Sequence, residues 1–169
     1  VPELEAGFHL LYEQKFPEAR GQFTGWSRRN PGDPFGDVSI AASYLFEEFY
    51  RQGIMTSDYF LDDGRFLHGI DGKADAGRLN AFYEALARAD QTAKQRLKKD
   101  PADAEALFAL TLSAGMRSNA LSILEKKHFD GLRRIKEADG YAERLLSVRP
   151  DAADAWLALG SANYIIGSL

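Results

Sequence analysis

The chain has 169 residues, 45% of them hydrophobic and 27% charged, a balance that can bury a core and excludes an intrinsically disordered chain. Its 25 acidic side chains against 21 basic ones leave a net charge of −4, which argues against a polyanion-binding surface and hence against nucleic acid as a partner. Cysteine is absent, so a disulfide framework, a cysteine-ligated metal and a thiol nucleophile are all excluded.

The sequence opens at Val1-Pro2 without a methionine, which fits either a removed leader or a trimmed chain. Helices are expected near 3–14 and 17–30, the second ending in Arg28-Arg29-Asn30 before Pro31. Cations in a last turn offset the negative end of the helix dipole, and the proline stops propagation. Asp33 before Pro34 then marks a new start. Over 34–53, Val38, Ala41, Ala42, Leu45, Phe46 and Phe49 recur at three- and four-residue steps, the signature of one helix face.

Residues 54–76 break the pattern with three glycines and five aspartates. An irregular stretch of this length is expected to be functional or packed by its own side chains, here Tyr59, Phe60, Phe66 and Leu67, with a short helix at 57–62. Periodicity resumes over 77–99 with Leu79, Phe82, Ala85, Leu86, Ala89, Ala93 and Leu97, and ends at Lys98-Lys99-Asp100 before Pro101. Asp103 opens a helix over 103–126. Leu132, Ile135, Ala138, Ala142 and Leu145 define another over 129–148, and Asp151 starts a seventh over 152–167. Alternating β-branched runs are missing, so the expected class is all-α. No apolar run approaches the ~18 residues that cross a bilayer, so no membrane span is expected.

Three of the six prolines frame a repeat. Trp156-Leu157-Ala158-Leu159-Gly160 follows Pro150 at the distance at which Leu107-Phe108-Ala109-Leu110-Thr111 follows Pro101. Asp37, Ile40, Ala41 and then Tyr44 occupy the same slots after Pro31, and Gly7, Phe16, Ala19 and Phe23 precede it at the spacing G…Y…A…F…P. These residues resemble the tetratricopeptide repeat. The resemblance implies a right-handed α-solenoid of antiparallel helix pairs, with small residues (Gly7, Ala41, Gly160; Ala19, Ala138) at the crossings. The expected repeats are 3–31, 34–101 with the 54–76 insertion, 102–150, and an incomplete 151–169. The pattern departs from the family where Thr111 replaces glycine and where Ala93 and Ala142 replace aromatics. It departs also in length, since Pro101 lies 70 residues after Pro31 and Pro150 a further 49, against about 34 in the family. Such lengthening resembles a bacterial branch found on exported proteins and favours an exported or periplasmic location over the cytoplasm.

The last repeat would expose the stripe of Trp156, Leu159, Tyr164, Ile165 and Ile166. The array is therefore expected to continue past Leu169, or the 152–169 helix to self-associate.

In such a superhelix the first helix of each pair lines the concave side. The expected groove contacts are Phe8, Leu11 and Tyr12; Leu45 and Phe46, beside Val38 and Ala42; Phe108, Leu112 and Met116; and Tyr164, beside Leu157 and Ser161. Repeat domains that hold acidic chaperone tails line these slots with Lys, Arg and Asn, a set this chain lacks. The expectation is a non-catalytic scaffold that binds a peptide or helix of a protein partner, without a cofactor. Two alternatives are a peptide- or small-ligand-sensing regulator and an all-α enzyme using the acidic insertion. The first expectation for the groove's occupant is nevertheless the chain's own 54–76 segment or further repeats, ahead of a partner; burying four such side chains is worth about 6–12 kcal/mol in gross transfer terms.

Catalytic and metal motifs are weak. His9, His68 and His128 lack ligand spacing, and His128 is expected at a helix C-terminal end. Asp58, Asp62, Asp63, Asp71 and Asp75 do not match a calcium loop. Gly69-Ile70-Asp71-Gly72-Lys73-Ala74 has neither the glycine spacing nor the hydroxyl of a phosphate loop.

Overall fold

The structure, a computed structural model, describes residues 2–55, 64, 68–153 and 155. Six α-helices follow one another among them: α1 (Pro2–Tyr12), α2 (Phe16–Arg29), α3 (Phe35–Arg51), α4 (Ala76–Lys99), α5 (Ala104–Asn119) and α6 (His128–Val148). A single π-helical turn, Ala120–Leu124, prolongs α5. No strand occurs among the described residues. Of the expected seventh helix only Ala152, Ala153 and Ala155 are described, the last two helical. The expected helix at 57–62 lies outside the described residues, as do Trp156, Leu157, Gly160, Ser161 and Tyr164.

Carboxylates mark the starts of α3, α4 and α5. Asp33 accepts the Phe35 N–H at 2.8 Å and the Trp26 indole N–H at 2.9 Å, tying the end of α2 to the start of α3. Asp75 caps α4 by accepting the Arg78 N–H at 2.8 Å. Asp103 caps α5 through the Ala106 N–H at 3.0 Å and also receives the Arg96 guanidinium at 2.7 and 3.1 Å. Each cap is worth about 1 kcal/mol. Burial pushes the Asp103 carboxyl up, but the Arg96 fork and the Ala106 N–H outweigh it and hold it below the usual range. His128 departs from expectation. Because α5 has already ended, it is the first residue of α6, at a helix N-terminus where the dipole does not favour a cation.

Each helix packs against the next in sequence. In addition α1 touches α3 and α3 touches α5, whereas α2, α4 and α6 share no comparable contact among the described residues. The odd helices thus form one contiguous layer, against which the even helices pack. Small residues permit the crossings. A Cβ at Gly7 would clash with the Phe23 ring, one at Gly36 would fall 2.9 Å from the Ser27 Cα, and one at Gly131 would meet the Ser122 hydroxyl. Ala19, Ala41, Ala85, Ala93, Ala106 and Ala142 are fully enclosed. Between them Phe23, Phe82, Leu86, Leu107 and Ile123 fill the interior.

The segment Ala104–Leu124 is, by length and composition, long and apolar enough to cross a membrane, with a mean hydropathy of 1.2, contrary to the sequence expectation. Here 56% of it is buried inside the fold, because α4, α6 and α3 all pack against it. An interior position explains its composition without a bilayer.

Glycines at crossings and glycines in open helix should respond oppositely to a methyl group. Gly7→Ala should lower stability by about 1–2 kcal/mol, since the enclosed Phe23 ring has no room to yield. Gly21→Ala in α2, with nothing within 4 Å, should raise it by about 0.5–1 kcal/mol. Thermal unfolding of both variants checks the pair, and a stabilised Gly7→Ala would show that α1 and α2 do not cross there.

Candidate functional site

An apolar concavity opens where α1 and α3 end. The chain turns from α1 into α2 within three residues because Gln14 takes a left-handed φ of 63° and the Lys15 N–H reaches back to the Leu10 carbonyl at 2.9 Å. This presents Leu11 and Tyr12 on one side and Phe16 on the other. From α3 come Phe46 and Tyr50, one turn apart, with the Phe16 and Tyr50 rings 5.8 Å between centroids. Gly53, at φ 70°, then ends α3, Ile54 turns into the core, and Met55 closes the wall. The resulting cleft has a volume of about 290 Å³. Tyr12 is 81% exposed, Met55 49% and Tyr50 47%, so three large apolar side chains stand in water around one cavity.

The sequence-derived groove residues divide. Leu11, Tyr12 and Phe46 meet in this cleft. Leu45, 2% exposed, belongs to the core beneath it, and Phe8 is half-buried against Phe23 with ring centroids 5.1 Å apart. Phe108 is half-buried against Phe35 at 5.7 Å, and Leu112 and Met116 are half-buried against the cluster of Val38, Ala89 and Leu110. Tyr164 lies outside the described residues. Phe16, Tyr50 and Met55 were not anticipated. Tyr50 had a signal, its four-residue spacing from Phe46, whereas Met55 belongs to the aperiodic insertion.

The wall formed by Gly53 and Met55 is held by Glu48, whose side chain is 3% exposed. Its Oε2 accepts from Arg78 Nε at 2.7 Å, and its Oε1 accepts from Gln52 Nε2 at 2.8 Å and from the Asp75 N–H at 3.1 Å. The Gln52 amide also donates to the Lys73 carbonyl at 3.3 Å. Both ends of the insertion are thereby pinned to the last turn of α3. Burial pushes the Glu48 carboxyl up, but the hydrogen bonds from Gln52, Arg78 and Asp75 prevail and keep it below the usual glutamate range.

Other polar groups are paired within the scaffold. Asp90 of α4 accepts from Ser113 at 2.5 Å and from Arg117 at 2.8 Å, tying α4 to α5. A second, more polar cavity of about 280 Å³ lies between α2, α3 and α4, where Arg88 meets Asp37 at 2.9 Å. No group of three metal-capable side chains occurs among the described residues. Of the insertion's aspartates, Asp71 faces His68 at 3.2 Å in solvent and Asp75 caps α4, while Asp58, Asp62 and Asp63 lie outside the described residues.

Fold and cleft together define an all-helical protein of sequentially packed helices with an apolar cavity at one end of its odd layer. No family model matches the chain, and no solved structure matches it. Over 106 residues, 62% of this chain, it is 30% identical to Hsp70-Hsp90 organizing protein 2 of Arabidopsis thaliana. The matched part spans 18% of the length of that protein, so the similarity concerns a fraction of it.

Loss of the Glu48 carboxylate leaves Arg78 and the Asp75 N–H without their acceptor. Glu48→Ala should therefore cost about 3 kcal/mol. The folded pKa of Glu48 lies below its unfolded value, so its contribution is complete above the ordinary value of about 4.3 and lost as pH falls through the lower folded one. Glu48→Gln should flatten that part of the acid limb when unfolding free energy is measured against pH. An unchanged acid limb in Glu48→Gln would mean that this carboxylate is not coupled to folding.

Proposed function

We propose that this chain is a tetratricopeptide-type repeat segment acting as a non-catalytic scaffold, which seats an apolar peptide or amphipathic helix of another protein. One observation carries the proposal: Tyr12, Tyr50 and Met55 are held in water around a preformed cavity floored by Leu11, Phe16 and Phe46. Aromatic and methionine side chains kept out at such a rim are the groups that gain most from an apolar partner. The repeat assignment draws on the contacts between successive odd helices, on the close approaches at Gly7 and Gly36, and on the partial similarity to Hsp70-Hsp90 organizing protein 2. In it α1–α2, α3–α4 with its insertion, and α5–α6 are successive pairs, and the closer-packed odd layer is the concave one.

Size and charge refine the partner. A cavity of about 290 Å³ sits at the bottom of the ~300–1,000 Å³ range of small-ligand pockets, which favours a few anchoring side chains over a whole small molecule. The relative's name associates that protein with Hsp70 and Hsp90. The odd helices here carry only Arg51 and Arg117 as permanent cations, against Glu3, Glu5, Asp37, Glu47, Glu48 and Glu105, and Arg117 is engaged by Asp90. An acidic tail held by its carboxylates therefore has no clamp on these helices, and binding through apolar anchors with little salt dependence fits better.

Panning a library of displayed dodecapeptides on the chain should enrich sequences with spaced Leu, Phe or Trp. In fluorescence anisotropy, Tyr12→Asp with Met55→Asp should weaken an enriched peptide at least tenfold while circular dichroism stays unchanged, since both side chains are largely exposed. A further loss on Met116→Asp would extend the contact along the odd layer. Binding that survives the Tyr12 and Met55 substitutions would overturn the cleft as the site.

A further inference from the structure

The end of α5 departs from ordinary helix in a way that the scaffold role does not require. In an α-helix the Ile123 carbonyl would accept the Lys127 N–H, four residues on. Here the last turn widens: the Glu125 N–H bonds to the Ala120 carbonyl at 3.1 Å and the Lys127 N–H reaches back to Leu121 at 2.8 Å. Lys126 pays for this turn with a left-handed φ of 56°, which a residue bearing a Cβ rarely adopts. The carbonyl so released at Ile123 accepts the Ile70 N–H, from the returning limb of the insertion, at 3.1 Å.

That limb is shaped for the contact. Gly69 has φ 73°, and a Cβ there would lie 2.5 Å from the Ile123 carbonyl oxygen. The Ile70 side chain is 2% exposed, in the same cluster as Ile123 and Leu124. Tyr83 of α4 donates to Glu125, just past the wide turn, and Lys127 pairs with the same carboxylate at 2.6 Å.

We infer that Gly69–Ile70 and the turn Ala120–Lys127 form a two-position latch. With Ile70 docked, the Ile123 carbonyl belongs to the insertion and α5 ends in a π turn. With Ile70 displaced, the Ile123 carbonyl takes the Lys127 N–H, α5 continues as α-helix, and Lys126 returns to the right-handed region. The same number of backbone hydrogen bonds is made by Ile123 in either position, which is what allows two registers to compete. Because Lys127 directly precedes α6, the change of register moves the α5–α6 corner, including Phe129, which is 88% exposed. The state of the insertion is thereby transmitted to the third helix pair. Wide turns of this kind are frequent at functional sites.

Amide hydrogen exchange and Cα chemical shifts of the full chain test the latch. In the native chain the Ile70 amide should exchange at least tenfold faster than the amides of Ala41 and Ala106, through an opening that leaves those helices intact. Lys126→Gly, which relieves the left-handed residue of the docked form, should slow Ile70 exchange about fivefold or more relative to Ala41. Gly69→Ala should abolish Ile70 protection and shift the Lys126 Cα resonance from left-handed to helical values. Should Gly69→Ala fail to fold, Lys126→Gly alone decides the matter. Ile70 exchanging only with global unfolding, unaltered relative protection in Lys126→Gly, or a Lys126 shift unmoved in a folded Gly69→Ala, would each overturn the latch and leave a rigid corner.

Discussion

Phe23 lies fully buried between α1 and α2 because position 7 has no Cβ to occupy the same volume. That single steric allowance fixes how closely two helices approach, and the rest of the molecule repeats it with other residues. Gly36 lets α3 ride against the Ser27 backbone, and Gly131 lets α6 settle on Ser118 and Ser122 of the preceding helix and its π turn. Small residues at the crossings leave the large ones to fill the wedge between successive odd helices, which is how α1 reaches α3 and α3 reaches α5. The cleft follows from that spacing. Leu11 and Tyr12 on α1 face Phe46 and Tyr50 on α3 across a distance set by crossings more than a turn away.

The buried Glu48 illustrates a different constraint. An ion pair taken out of water seldom adds much net stability, because desolvation consumes most of the attraction. Its effect here is geometric. By gathering Gln52, Asp75 and Arg78 on one carboxylate, Glu48 brings together chain positions more than 20 residues apart and lets α4 pack on α3 as though the two were joined by a short turn. An insertion closed at its neck can be long without disturbing the stack, since the loop-closure penalty grows only with the logarithm of its length.

Much of the helical framework was legible in the chain itself. Proline after a basic helix end and an aspartate before the next helix are local chemistry, and Asp33 and Asp103 sit at the expected corners with the hydrogen bonds that such residues make. The three- and four-residue spacing of Phe82, Ala85, Leu86 and Ala89 on α4 reports burial directly, and all four are enclosed. What escaped were features created by tertiary contact. The end of α5 reads as plain helix through 126, because nothing in Ala120-Leu121-Ser122-Ile123-Leu124 announces that the Ile123 carbonyl has a partner 53 positions earlier. Met55 and Gly53 likewise carry no periodicity; only the pinned neck makes them a wall. The apolar spacing of α1 and α3 marked Leu11, Leu45 and Phe46 alike, yet it gave no means to separate the half-buried Phe46 at the cavity from Leu45 in the core behind it.

The insertion thus makes two contacts with the packed helices, and the inferred latch links them mechanically. Its outgoing limb supplies Met55 to the apolar cleft, and its returning limb supplies Ile70 to the end of α5. Ile54 and Ile70, one on each limb, are both buried in the cluster that contains Leu11, Phe16 and Ile123. A close-packed cluster transmits displacement because it has no slack in which to absorb it. Pressure on the cleft wall therefore acts on the same packed residues that hold the returning limb against α5. Glu48 limits that movement to the limbs themselves by keeping the neck shut, so that α3 and α4 need not separate. In the latch we infer, the buried limbs of one insertion give a direct route from the cluster around Leu11 and Phe16 to the end of α5.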